Sequence, residues 1–98
     1  MDLAEIRRQI DEVDDQLVKL FCERMDLAAQ VGAAKWRQGL PLHDNVREEA
    51  ICARAAKLAG REFAPYARRF FYTLFSLSKD YQIQRAATDR WPNNSINT

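Results

Sequence analysis

Two cations stand where a helix should carry leucines. Leu3, Ile6, Ile10, Val13, Leu17, Leu20, Leu27 and Val31 recur three and four residues apart, with position 24 completing the series. That spacing is one apolar stripe on an α-helix. Position 24 is Arg24, and four residues beyond Val31 comes Lys35. The step of eleven positions from one cation to the other makes three turns plus about 20°, so both project from one face. Ala28 and Val31 lie between them and leave room beneath two long side chains. Ser78 and Gln82 stand at i and i+4, one above the other, on a face that Phe71 and Leu74 continue. Asp44, Arg47 and Glu48 fall within one turn at the start of another helical stretch. Buried polar groups are costly unless each finds a partner. Several of them on the inner faces of separate helices point to one shared pocket, rich in cations, for an anionic small molecule.

Each residue has a plainer reading when taken alone. Arg24 can snorkel from the edge of the stripe, and Lys35 can complement a helix dipole in the last turn. Asp44 is a helix cap whatever else it does. Arg47 with Glu48 is by default surface charge, Ser78 can bond back to its own helix, and Gln82 can be exposed. The conjunction carries the pocket. Arg7 lies 17 residues before Arg24, ~25 Å along a helix axis. One helix cannot bring both to a small ligand, so Arg7 reaches such a pocket only from a second, antiparallel copy. His43, the single histidine, sits in a polar loop and receives no role.

The elements that must position these residues are all helical. Three glycines and three prolines punctuate 98 residues, and no stretch alternates apolar and polar side chains as a strand would. Helices are expected over 2–37, from an Asp44 cap to about Gly60, and over 65–88, with the first stopping at Gly39–Pro41. The fold class is all-α, with three helices in residues 1–90 and a polar tail over 91–98, the stretch "RWPNNSINT" being frayed. A first helix of ~36 residues is a rod of roughly 54 Å. A compact chain of this length has a radius of gyration near ~13 Å, a diameter of roughly 33 Å. The rod overhangs such a body. Its stripe, and a second on the third helix (Phe70, Phe71, Leu74, Leu77, Tyr81), need covering, which predicts an intertwined homodimer. The alternative is a bent first helix in a monomeric bundle.

Composition excludes several classes. The chain is 47% apolar and 30% charged with a net charge of +1, which gives no electrostatic case for nucleic acid or an anionic membrane. No apolar run approaches the ~18 residues of a membrane span. "MDLAEIRRQI" opens an amphipathic helix and lacks the order of a secretion signal, so a cytoplasmic location is expected. Cys22 and Cys52 are isolated within helical patterns and read as buried or half-buried thiols in a reducing compartment. No metal-ligand cluster, glycine-rich phosphate loop or Ser/His or Cys/His pairing appears, so neither metal nor cofactor is expected.

With these positions laid out, the chain resembles the all-helical class of chorismate mutases from Ile6 to about Gln84. "IRRQIDEVDDQLVKLFCERMDLAAQVGAAK" is similar to that family's first helix, with its Arg–x–x–Ile–x–x–x–Asp start and Val–Gly–x–x–Lys end. "LPLHDNVREEAI" is similar to the family's entry into its second helix, and Ser78 and Gln82 fall at its Ser–x–x–x–Gln pair. The resemblance implies that Arg24, and Arg7 of the neighbouring subunit, hold substrate carboxylates with support from Arg47. It implies that Lys35 and Gln82 donate to the ether oxygen of the breaking bond, and that Lys35 also helps hold a carboxylate. Glu48, with the backbone near Asp44, would bind the ring hydroxyl, and Ser78 the ring carboxylate. The implied reaction is the rearrangement of chorismate to prephenate in aromatic amino-acid biosynthesis, without a cofactor. An isochorismate pyruvate lyase and a 4-amino-4-deoxychorismate mutase share the scaffold and remain alternatives, the polar "DNVRE" favouring the mutase over the lyase. From another class, the chain could be a non-catalytic dimerisation module or a regulatory relative of a larger shikimate-pathway enzyme.

Overall fold

A computed structural model describes residues 2–89 and 91. It holds three helices: α1 (Leu3–Gln38), α2 (Asn45–Ala59) and α3 (Ala64–Thr88). Their ends follow local chemistry. The Asp2 side chain accepts from the Glu5 N–H at 2.8 Å and caps α1. Gly39 ends α1 in the left-handed region, φ 70°, where a side chain would be strained. Beyond it the Leu40 N–H bonds back to the Lys35 carbonyl at 2.9 Å, and the Gly39 N–H to that of Trp36 at 3.3 Å. This pair of bonds is a Schellman closure. It turns the chain sharply so that the loop to α2 returns past Lys35. Asp44, extended at φ −139°, caps α2 by accepting from the Arg47 N–H at 3.0 Å. Pro65 sits in the first turn of α3, where its missing N–H costs nothing.

α3 is the central element and packs against both α1 and α2. The core is small: Ala29 of α1, Cys52 and Ala55 of α2, and Leu74 and Phe75 of α3 are buried. Ser78 and Gln82 are buried among them.

Before Arg24, every residue of α1 except the half-buried Glu5 is exposed. The stripe is open, from Ile6 at 41% exposed to Leu20 at 63%. The molecule is 63 Å long with a radius of gyration of 17.2 Å, against ~13 Å for a compact chain of this length. α1 runs unbroken, so a first helix folded back into a monomeric bundle is not what the chain builds. One reading needs correction. Cys52 is buried as expected, but Cys22 is exposed, because it lies on the part of α1 that nothing in this chain covers. Among the described residues no helix is long and apolar enough to cross a membrane.

Trp91 lies beyond the end of α3 and folds back onto α1. Its N–H bonds to the Ala86 carbonyl at 3.2 Å, and its ring meets Trp36 edge-on with centroids 6.4 Å apart. Gly32 makes this approach possible. A Cβ there would come within 2.8 Å of Trp91 Cη2 and 2.9 Å of Gln82 Cγ. The rest of the expected frayed stretch, Arg90 and residues 92–98, lies outside the described residues.

Candidate active site

The three helices converge on a pocket of about 270 Å³ at the C-terminal end of α1. α1 contributes Arg24, Ala28, Val31 and Lys35, whose shared face is the one read from their spacing. The first turn of α2 contributes Asp44, Arg47 and Glu48. α3 contributes Phe75, Ser78, Lys79 and Gln82, again at helical spacing. Seven of the eight expected site residues therefore meet. Arg7 does not: it is exposed on the uncovered part of α1 and is no part of this pocket.

Arg24, Gln82, Lys35 and Glu48 are each held by a neighbour and still have something to offer. Arg24 donates from Nη1 to the Ser78 hydroxyl at 3.0 Å, and its guanidinium carbon lies 5.8 Å from the Phe71 ring centroid and 5.9 Å from that of Phe75. Two aromatic faces and one hydroxyl fix the fork in place. Burial, and then the neighbouring positive charge of Arg47, push the Arg24 pKa below its usual value. Both causes have one remedy, an anion in the pocket.

Gln82 is buried and donates from Nε2 to the Ala28 carbonyl of α1 at 2.7 Å. That bond uses one of the two amide hydrogens and orients the other. Lys35 donates from Nζ to the Leu42 carbonyl at 2.9 Å, which uses one of its three hydrogens and ties the end of α1 to the returning loop. A role confined to the helix dipole does not describe it. Asp44 serves as the α2 cap, and Glu48 pairs with Lys79 across to α3 at 2.9 Å.

The charges do not cancel. Four cations line the pocket (Arg24, Lys35, Arg47, Lys79) against two carboxylates (Asp44, Glu48). Among the described residues, no carboxylate lies within ion-pair distance of Arg24, Lys35 or Arg47. The excess of positive charge suits an anion. Apolar walls from Leu27, Val31, Ile51 and Phe75 suit a compact carbon skeleton between those charges.

Lys79, which lines the pocket, was not singled out in the sequence, and His43, which was given no role there, touches it. Lys79 follows Ser78 on α3, where a lone lysine reads as solvated surface. Its one signal was the four-residue step from Phe75, which places it on the pocket face. His43 gave no local sign at all, since its partner Lys79 is 36 residues away.

The residues that converge here span most of the chain, and so does the match to known proteins. Residues 6–83 match the model of the chorismate mutase type II family. The chain belongs to that family. Chorismate mutase type II accounts for the all-α, three-helix architecture read above. Over 56 residues the chain is 46% identical to a chorismate mutase of Methanocaldococcus jannaschii, a stretch covering 57% of each chain. It is 41% identical over 58 residues to the T-protein of Enterobacter agglomerans, covering 59% of this chain and 16% of that one. It is 35% identical over 57 residues to a bifunctional chorismate mutase/prephenate dehydratase of Aquifex aeolicus, again 16% of the relative's length. The matched stretch thus spans little more than half of the archaeal relative and about a sixth of the two longer ones. No solved structure gives a significant match.

Proposed function

We propose that the pocket binds chorismate and rearranges it to prephenate, in a homodimer whose Arg7 enters the site of the partner subunit. The observation that carries this reading is the uncompensated cluster of Arg24, Lys35 and Arg47 around a pocket in which Gln82 keeps a free amide hydrogen. Membership of the chorismate mutase type II family supports it.

Chorismate is a flexible dianion, and the reaction is an intramolecular pericyclic shift. One C–O bond breaks while one C–C bond forms, so neither nucleophile nor redox partner is called for. The protein must select the folded, chair-like conformer, and then favour the charge that grows on the ether oxygen as its bond to carbon lengthens. Arg24, locked by Ser78 and two aromatic rings, suits the first task, because a preset guanidinium fixes a carboxylate in direction as well as position. Arg47 adds positive potential from α2. Gln82 and Lys35 suit the second task, since both line the pocket and keep hydrogens that their protein partners do not use. Donors preset at developing charge stabilise the transition state more than the ground state, which is what raises a rate. Arg7 of a second copy would complete the grip on the side that this chain leaves open.

The test offers chorismate and isochorismate separately to purified protein and identifies products by chromatography. Prephenate from chorismate is expected, with the rate reduced about 10²- to 10³-fold in Lys35→Ala, the usual cost of losing one transition-state donor. Salicylate and pyruvate from isochorismate, with little prephenate, would move the reading to the lyase. Silence on both substrates from a folded protein would sink it.

A further inference from the structure

Lys79 is the pocket cation that the proposed chemistry does not use. Its ammonium lies 2.9 Å from Glu48 Oε2 and 2.9 Å from His43 Nδ1, and both it and Glu48 are largely shielded from solvent, at 29% and 19% exposed. Because Nδ1 accepts from an ammonium, the imidazole proton sits on Nε2, which donates to Asn45 Oδ1 at 3.0 Å. One lysine on α3 thereby holds a carboxylate of α2 and the loop that leads into it. Glu48 Oε2 is occupied by this contact. Among the described residues Oε1 has no donor, and Asp44 gives its Oδ1 to the cap. Glu48 Oε1 is therefore an acceptor that the pocket offers to a ligand, beside the second oxygen of Asp44, in a site otherwise rich in donors.

We propose that Lys79 is a specificity-determining residue, which makes the site take a neutral hydroxyl on the substrate ring and refuse a cationic amine at the same place. This rests on the chorismate reading above. A ring hydroxyl donates one hydrogen bond to Glu48 Oε1 and brings no charge. An alkyl amine is protonated at neutral pH. At Glu48 it meets a carboxylate already neutralised by Lys79 and stands one carboxylate's width from that ammonium, while the charges of Arg47 and Asp44 in the same helix turn offset each other. Like charges at such separations, partly shielded from water, oppose binding strongly. With Lys79 uncharged, Glu48 would present a full negative charge and the preference would relax.

The experiment compares kcat/KM for chorismate and for its 4-amino analogue in wild type, Lys79→Gln and Lys79→Arg. Gln keeps a donor near Glu48 without the charge, and Arg keeps the charge. Wild type and Lys79→Arg are expected to prefer the hydroxyl substrate by about 100-fold or more. Lys79→Gln should narrow that ratio by about tenfold or more, chiefly by gaining on the amine. A ratio that is unchanged in Lys79→Gln, or one that falls only through loss on chorismate, overturns the role of Lys79 and leaves the mutase reading standing. A wild type that takes the amine as well as the hydroxyl also overturns it. Failure of wild type to turn over chorismate at all sinks the mutase reading, and this proposal with it.

Discussion

At the scale of single residues, the site depends on donors that are already fixed before a ligand arrives. Gln82 shows this most directly, being buried and bonded to the Ala28 carbonyl. Gln82→Leu keeps the bulk and removes the amide. Under the proposed chemistry kcat should fall about 10²- to 10³-fold with KM changed far less, because the lost bond forms fully only in the transition state. A carboxamide does not titrate, so wild-type kcat should be flat between about pH 6 and 8. A steep decline across that window would show that a protonated carboxyl is doing the work assigned to Gln82. Residues at this scale were legible where helical phase alone decides direction, as for Arg24, Lys35, Ser78 and Gln82. Lys79 was not, because an isolated lysine on a helix defaults to solvent, and only the approach of Glu48 from another helix makes it part of the site.

At the scale of elements, the three helices were legible because their ends carry their own signals. Asp2 and Asp44 cap, and Gly39 stops. The return of Trp91 onto α1 was not legible, because it depends on a surface that exists only after α1 and α3 have packed. Gly32 is the sequence trace of that contact, a glycine inside a helix that tolerates one poorly. Gly32→Ala sets a gain in helix propensity of about 1 kcal/mol against overpacking of about 1–3 kcal/mol. The expected net loss is about 1 kcal/mol, a fall in melting temperature of roughly 4–8 °C. The atoms displaced include Gln82 Cγ, so kcat should drop at least tenfold while the fold persists. A variant with full activity and raised melting temperature would show that Trp91 and Gln82 yield freely.

At the scale of the whole molecule, the exposed α1 stripe and the distant Arg7 belong to one question. Arg7→Ala and Lys35→Ala are each expected to keep no more than about a hundredth of wild-type activity. Mixed, unfolded and refolded together, they should recover up to about a quarter of wild-type activity. A random mixture is half heterodimer, and each heterodimer has one of its two sites intact. No recovery, with heterodimers demonstrated by mass spectrometry, would show that Arg7 does not enter the partner's site. The stripe itself was plain in the sequence as a period. What covers it was legible only as a length mismatch, a rod of roughly 54 Å on a body too small to hide it.

The unbroken length of α1 also makes it a ruler with two scales. One is angular, the phase that keeps the stripe on a single face. The other is linear, the spacing between Arg7 and the Arg24–Lys35 segment. A single inserted residue turns everything before it by about 100° and disrupts both. Seven inserted residues turn it by only about 20° and leave the stripe nearly continuous, but they carry Arg7 about 10 Å further away. Such an insertion between Arg7 and Arg24 should give a well-assembled protein with a crippled site, whereas a one-residue insertion should spoil assembly and site alike. Deletions and insertions in this helix would therefore be tolerated by the fold in steps of whole repeats, and by the chemistry hardly at all.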